Sequence, residues 1–299
     1  MITIVVASFA ISCDDSEKLR FDEKKNVEDE HEGNKQEIPN PLTIGRDCSL
    51  GLSDDVLDIA TWNLEQFPLT SSTIELVRDA VLAMDADVMA IQEISSTSAF
   101  NTLSSQLPDW DGVYENVNGG IELGFLIKKS AIISYSTTRK IFSGQTSPFP
   151  REPVLIDLEH TNGVKVTLVN LHLKCCNDGE TRRNKASQLL KSELDSDPST
   201  AYVVLGDFND DINSGSPFSN FIADDEYLFA DWMIAKSENQ SEWSYPSWPS
   251  HIDHILVTSE LFDMITYTQT IKLSECINGY ADKVSDHRPV MIGLQGFGE

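Results

Sequence analysis

Tyr202-Val203-Val204-Leu205-Gly206-Asp207-Phe208-Asn209 is the stretch that decides how this chain is read. Its four apolar residues form a short strand of the buried kind, and the strand ends in a glycine, a carboxylate and an amide. In α/β sheets, ligand sites lie at such strand ends. The ending recurs along the chain. Leu57 to Trp62 reads as a strand and runs into Asn63-Leu64-Glu65. Asp87 to Ile91 runs into Gln92-Glu93, and Val164 to Leu173 carries Asn170-Leu171-His172. His251-Ile252-Asp253-His254 leads into a strand over Ile255 to Thr258, and Ser285-Asp286-His287 precedes one over Val290 to Leu294.

Helical spacing fills the intervals. Ser72 to Met84 puts Ile74, Val77, Val81 and Leu82 on one face behind a Ser or Thr cap. Ala99 to Leu107 is a short helix stopped by Pro108, and Glu180 to Leu194 is a helix with a basic face of Arg182, Arg183 and Lys185. Gly112 to Val117, Leu123 to Ile127, Ala131 to Phe142 and Val154 to Leu158 form a meander with Val164 to Leu173, and Phe262 to Leu273 adds a late strand. No internal repeat is present. Strand-helix units combined with meanders predict one α/β domain, a four-layer sandwich of two packed, mostly antiparallel or mixed sheets flanked by helices.

The residues at the strand ends have a common chemistry. Asn63, Glu93, Asp207, Asn209 and Asp286 offer oxygen donors, the set that hard cations such as Mg²⁺ or Mn²⁺ prefer; zinc would call for His and Cys. His172 and His287, near carboxylates, suit proton transfer and phosphate contact. Each residue alone has a plainer reading. Asn63 and Asp207-Phe208-Asn209 are turn formers, Glu93 a solvated end, His172 a half-buried histidine, and Asp286-His287 a surface loop. The ordered set favours catalysis.

That set resembles the endonuclease/exonuclease/phosphatase family, deoxyribonuclease I-like branch, over Leu57 to Leu294. The resemblance implies that Glu93 binds the metal with Asn63 in support, and that Asp286 completes the metal site. It implies that Asp207 positions or activates the attacking water, that Asn209 and His172 contact phosphate, and that Asp253 orients His287, the acid/base or phosphate-contacting histidine. Arg151, in Arg151-Glu152-Pro153, resembles a phosphate-contacting arginine of that branch. The expected activity is metal-dependent phosphodiester hydrolysis, with nucleic acid the favoured substrate. A small phosphoester or phospholipid headgroup is the alternative, and a non-catalytic surface binding protein the second alternative.

Composition bounds these readings. The 299 residues, 40% hydrophobic, suffice for one large core. No stretch approaches the roughly 20 apolar residues of a membrane span. With 22 Lys+Arg against 48 Asp+Glu the net charge is −26, which repels polyanions at long range, so such a substrate is captured locally by metal and aimed cations. Residues 1–13 resemble a bacterial lipoprotein signal: an apolar run from Ile2 to Ile11 precedes Cys13, the residue to be lipidated, although Ala10 replaces the usual Leu and no basic residue leads. Residues 14–50 read as an acidic, disordered tether and residues 51–299 as the catalytic domain. These features predict an exported monomer, lipid-anchored at the bacterial cell envelope or secreted. Cys48, Cys175, Cys176 and Cys276 remain. Adjacent cysteines rarely bridge each other, so two disulfides would pair Cys175 and Cys176 with Cys48 and Cys276; free thiols are the alternative.

Overall fold

The computed structural model describes Gly45, residues 48–213 and residues 215–296. The signal-like segment and most of the tether lie outside the described residues. Strands β1 (Val56–Phe67), β2 (Val88–Ile94), β3 (Trp110–Glu115) and β4 (Glu122–Lys128) open the domain, with helices α1 (Thr73–Met84) and α2 (Thr97–Ser105) between them. Then come β5 (Ile132–Tyr135), β6 (Arg139–Lys140), β7 (Val154–His160), β8 (Lys165–His172), α3 (Glu180–Asp195) and β9 (Tyr202–Asp207). The last part holds α4 (Ser219–Ile222), β10 (Tyr227–Phe229), α5 (Trp232–Ala235), β11 (Asp253–Thr258), β12 (Ile265–Thr270), α6 (Tyr280–Lys283) and β13 (Val290–Gln295).

The strands form two sheets, in the orders β12-β13-β1-β2-β4-β3 and β10-β11-β9-β8-β7-β5, with β6 beside β7. Each sheet contains one parallel pair, β1 with β2 and β8 with β9, among antiparallel neighbours. Ile59, Phe125, Ile156, Leu205 and Ile292 fill the space between the sheets. Val77, Met84 and Phe100 pack α1 and α2 onto one outer face, and Leu190, Leu194 and Phe221 pack α3 and α4 onto the other. The four-layer α/β sandwich expected from the sequence is the observed fold.

Local expectations fare unevenly. In α1 the buried face is Thr73, Val77, Ala80, Val81 and Met84, while Leu82 is 46% exposed, because the helix axis turns the stripe away from it. Ser72 makes no side-chain cap; the Thr73 hydroxyl instead donates to the Lys283 carbonyl. Ala131 to Phe142 is two short edge strands, since Ser136 leaves the ladder to exchange hydrogen bonds with Asp157 through both its amide and its hydroxyl. The stretch from Phe262 finishes a 3-10 turn before β12 begins at Ile265. The basic face of α3 is also corrected: Arg183 is buried and paired with Asp210, and Arg182 donates to the carbonyls of Thr146 and Ser147.

The disulfide expectation is overturned. Cys48 bridges Cys276, closing a loop with a separation of 228 residues, and Cys175 and Cys176 take no part in it. The bond sits where Cys48 and Leu50 enter the buried cluster beneath α1.

At the strand ends opposite those that carry Asn63, Glu93, His172 and Asp207, Asp58, Asp87 and His160 are buried together. Asp87 accepts the Asp58 amide at 2.9 Å and faces His160 Nε2 at 3.4 Å, and Tyr267 donates its hydroxyl to Asp58. Burial, joined by the Asp87 charge, pushes the Asp58 carboxyl from 3.8 up to about 7. The folded protein thus holds this proton more tightly than the unfolded chain. The group's contribution to stability is therefore lost as pH rises from about 4 through about 7. Asp58→Asn removes this titration. Urea unfolding is expected to show the variant gaining on the order of 2 kcal/mol relative to the parent between pH 4.5 and 8. A parallel pH dependence for both proteins would contradict this.

Candidate active site

Register places the site. β8 and β9 are parallel with His172 opposite Asp207, and antiparallel β11 sets Asp253 opposite Asp207. Paired residues share a face, so His172, Asp207 and Asp253 form one row across the end of the second sheet. Gly206 makes the row possible: a Cβ there would lie 1.9 Å from the Leu171 carbonyl oxygen. In the first sheet Asn63 on β1 pairs with Gln92 on β2, next to Glu93. Asn63 Nδ2 then donates to Glu93 Oε1 at 3.2 Å and to Asp207 Oδ2 at 3.0 Å, so one amide joins both sheets.

The rim is built in strained backbone. Glu65, Gln66, Glu93 and Asn209 have φ of 40°, 51°, 63° and 56°, a left-handed region costing on the order of 1–3 kcal/mol for a residue with a Cβ. Side-chain acceptors hold three of them there. Asn63 Oδ1 accepts the Glu65 amide at 2.9 Å, Glu93 Oε2 the Gln66 amide at 2.8 Å and Asp207 Oδ1 the Asn209 amide at 2.9 Å. Asn209 Nδ2 donates to the Leu173 carbonyl at 3.1 Å.

The Ser285-Asp286-His287 loop docks onto the end of β1. Ser285 donates its hydroxyl to the Asn63 carbonyl at 2.6 Å and accepts the His287 amide at 3.0 Å. Trp62 Nε1 donates to Tyr280, whose hydroxyl donates to the His287 carbonyl at 2.6 Å. His287 Nδ1 is 2.8 Å from Asp253 Oδ2, which leaves Nε2 facing the site, 4.0 Å from Asp207 Oδ2 and 3.8 Å from Asp286 Oδ1. The Tyr245 ring covers the imidazole at a centroid distance of 4.8 Å.

These environments separate the titrating groups. Burial works against a charged His287, but Asp253, Asp207 and Asp286 outweigh it and raise the ring to about 10. Burial pushes Asp207 up to about 7, aided by the Asp253 and Glu93 charges. Burial, with the Arg151 and His287 charges, drives His172 well below its usual value, so it is neutral, with Nε2 3.4 Å from Asp207 Oδ2. Arg151 itself carries a buried Nε without a protein acceptor, a donor suited to an anion.

Glu65 is the residue that the sequence reading passed over. Its carboxylate accepts the Asp286 amide at 2.9 Å, and burial together with the Asp286 charge raises it to about 7. Burial raises Asp286 as well, with the Glu93 charge adding to it. Glu65, Glu93 and Asp286 thus repel one another across a partly exposed rim. A hard divalent cation among them would offset that repulsion, so the donor set fits such an ion. Among the described residues, the three-residue groups whose donor atoms all lie within 4.8 Å of one another are Asp207, Asp253 and His287, and Asp231, His251 and His254; the Glu65, Glu93 and Asp286 carboxylates are more widely spaced. The second is satisfied internally. Asp231 Oδ2 meets His251 Nε2 at 3.0 Å and His254 Nδ1 at 2.5 Å, His254 Nε2 meets the Asp210 carbonyl, and His251 Nδ1 accepts the Ser244 amide. With both ring nitrogens facing acceptors, His254 is a buried imidazolium paired with Asp231. It is a strut behind Asp253.

The structure therefore gathers Asn63, Glu93, His172, Asp207, Asn209, Asp253, Asp286 and His287 at one rim, with Arg151 near enough to act on His172. Glu65 lay in a quoted strand ending, but nothing in the spacing shows that left-handed residues turn its side chain back toward Asp286. Glu65→Gln is expected to weaken Mn²⁺ affinity by roughly tenfold or more in titration calorimetry. Unchanged affinity would remove Glu65 from the ion's surroundings.

The family model for the Endonuclease/Exonuclease/phosphatase family matches residues 60–287. No curated protein matches the chain in sequence. Solved structures match in fold. TDP2 of D. rerio, complexed with a single-strand DNA product, aligns with a TM-score of 0.66 at 15% identity over 80% of this chain and 99% of that one. The human Nocturnin catalytic domain with bound sulfate aligns at 0.61 and 17% identity over 82% and 94%. A family protein of Bacteroides thetaiotaomicron aligns at 0.59 and 15% identity over 81% and 98%. Strand order, the rim and the match over most of the sequence agree: the chain belongs to the endonuclease/exonuclease/phosphatase family of phosphoric-ester hydrolases.

Proposed function

We propose that this protein is a Mg²⁺-dependent phosphodiesterase (Mn²⁺ serving in its place) that cleaves nucleic-acid strands. The observation that carries the reading is the convergence of Asp207, His172 and the Asp253–His287 pair at one strand-end row. D. rerio TDP2, whose structure holds a single-strand DNA product, supports a nucleic-acid substrate.

In-line displacement puts the attacking and leaving oxygens on opposite sides of phosphorus. Asp207 Oδ2 and His287 Nε2 are only 4.0 Å apart, too close to serve both ends of that axis. They serve one side. Asp207 aligns the water and takes its proton, while the His287 imidazolium, held by Asp253, donates to a non-bridging oxygen. His172, Asn209 and Arg151 supply further donors to the phosphate. Glu93 and Asp286, with Asn63 in support and Glu65 beside them, would hold the cation, which would supply Lewis-acid polarisation of the phosphoryl group. One observation favours a smaller phosphoester or lipid headgroup: the charge of −26 leaves few cations to track a polyanion. Residues 1–13 and the Cys48–Cys276 bond support export, with Cys13 lipidated and the domain acting as a monomer at the cell envelope.

The protonation states give the pH dependence. Asp207 must be charged, so kcat/KM rises with pH through the region near 7; His287 must be protonated, so it falls through the region near 10. A cation bound beside Glu93 and Asp286 would move the acidic limb downward. Asp253→Asn is expected to pull in the alkaline limb; an unmoved limb would dissociate it from His287. Plasmid DNA, RNA, sphingomyelin and bis-p-nitrophenyl phosphate, each with Mg²⁺ and with chelator, test the substrate. Metal-dependent nicking that His287→Ala lowers by roughly 10²-fold or more is the expected result. Hydrolysis of the lipid or the small diester alone would overturn the nuclease reading.

A further inference from the structure

Beyond His172 the chain continues Leu173-Lys174-Cys175-Cys176, and the phosphoesterase reading makes no use of this adjacent thiol pair. The two Sγ atoms lie 2.7 Å apart, approaching the ~2.05 Å of a disulfide. Cys175 is half-buried and Cys176 exposed. Cys176 has φ 72°, a conformation that L residues avoid, so strain is stored where the sulfurs meet.

The segment is tied to the catalytic rim. Buried Arg183 donates from Nη1 to the carbonyls of Lys174 at 2.6 Å and Cys176 at 2.9 Å. Its Nε and Nη2 hold Asp210 Oδ2 at 2.8 and 2.7 Å. Gly179 allows this approach, since a Cβ there would lie 2.4 Å from Arg183 Nη1. Asp210 follows Asn209, whose side chain bonds the Leu173 carbonyl and whose amide bonds Asp207. The contacts close a ring: Cys176, Arg183, Asp210, Asn209, Leu173 and back through Lys174.

We propose that Cys175 and Cys176 form a redox modification site whose oxidation displaces Asn209 and Asp207. Two thiols and a low-molecular-weight disulfide such as oxidised glutathione give one Cys175–Cys176 disulfide and two small thiols, the two electrons and two protons passing to the oxidant. Adjacent Cα atoms are about 3.8 Å apart, shorter than the ~4.4–6.8 Å of a relaxed bridge, so the ring is strained and readily reduced. Exposed, strained disulfides are the labile, regulatory ones. Closing the eight-membered ring re-orients the Cys175–Cys176 peptide and with it the flanking carbonyls of Lys174 and Cys176, which Arg183 holds, and Arg183 passes the shift to Asp210. The expected loss of turnover rests on the phosphodiesterase reading; the thiol chemistry and the loop movement do not.

The full protein is poised in glutathione buffers from reducing to oxidising, trapped with N-ethylmaleimide and mapped by mass. Hydrogen exchange over residues 207–211 and hydrolysis of bis-p-nitrophenyl phosphate with Mg²⁺ are followed in the same samples. The peptide bearing Cys175 and Cys176 is expected to lose both maleimide adducts in one two-electron transition while the Cys48–Cys276 bond stays closed. Exchange over 207–211 should quicken, and turnover should fall by roughly fivefold or more and return on reduction. Cys175→Ser and Cys176→Ser should keep reduced-form turnover in every buffer. Thiols that stay alkylatable, that form only mixed disulfides with glutathione, or that oxidise without altering exchange would overturn the proposal. Ring closure with altered exchange but no hydrolysis in any state would sustain it and overturn the phosphodiesterase reading instead.

Discussion

The two sheets are held in one relative position by a buried amide pair just beneath the rim that gathers Asn63, Glu93, His172 and Asp207. Asn170 on β8 donates to the carbonyls of Ile91 and Gly124 in the opposite sheet, at 3.0 and 2.9 Å, and accepts from Gln92 at 2.8 Å. All of this is buried from solvent, where an unmade hydrogen bond costs far more than at the surface. A slide of one sheet over the other would break every one of these contacts at once. The apolar side chains between the sheets tolerate many offsets; the amides tolerate one. Because Asn63 must reach both Glu93 and Asp207, that single offset is also what assembles a site from two separate sheets.

Charge is distributed with the same economy. Around the rim, carboxylates outnumber cations, and the resulting repulsion is left unrelieved at Glu65 and Asp286 while it is neutralised at Asp253 by His287. One carboxylate is thereby committed to a protein cation and the others are left for an external one. Behind the site, Asp231 and the doubly hydrogen-bonded His254 keep a charged pair out of water and fix the backbone from which Asp253 projects. Arg183 does similar work for the Asp210 end of the loop.

What was legible in the sequence is what short-range pattern encodes. Apolar runs ended by functional polar residues located β1, β2, β8 and β9, and with them Asn63, Glu93, His172, Asp207 and Asn209. Asp253 and His287 were legible as types, and their 2.8 Å contact only as an implication of family resemblance. What escaped depends on long-range geometry or local strain. Glu65 is turned toward Asp286 by two consecutive left-handed residues. Arg183 looks like a surface cation until the carbonyls of Lys174 and Cys176 are brought to it. The Cys48–Cys276 pairing depends on how the chain before β1 lies against the loop before α6, which no spacing reveals. Leu82 sits at a helical interval yet falls outside the buried stripe, because its neighbours Val81 and Met84 meet the sheet first.

The position of β13 carries a consequence in time. This strand, the last of the described chain, lies between β12 and β1, one strand in from the edge of its sheet, and the loop that leads into it brings Asp286 and His287. Until it is synthesised and inserted, β1 lacks a neighbour on that side, and Asp253 has no histidine to hold. A ribosome-bound or partly threaded chain therefore carries Asn63, Glu93, His172 and Asp207 without Asp286 and His287 beside them. The rim is thus the last part of the described fold to be completed, closed only when the final strand slides in beside β1.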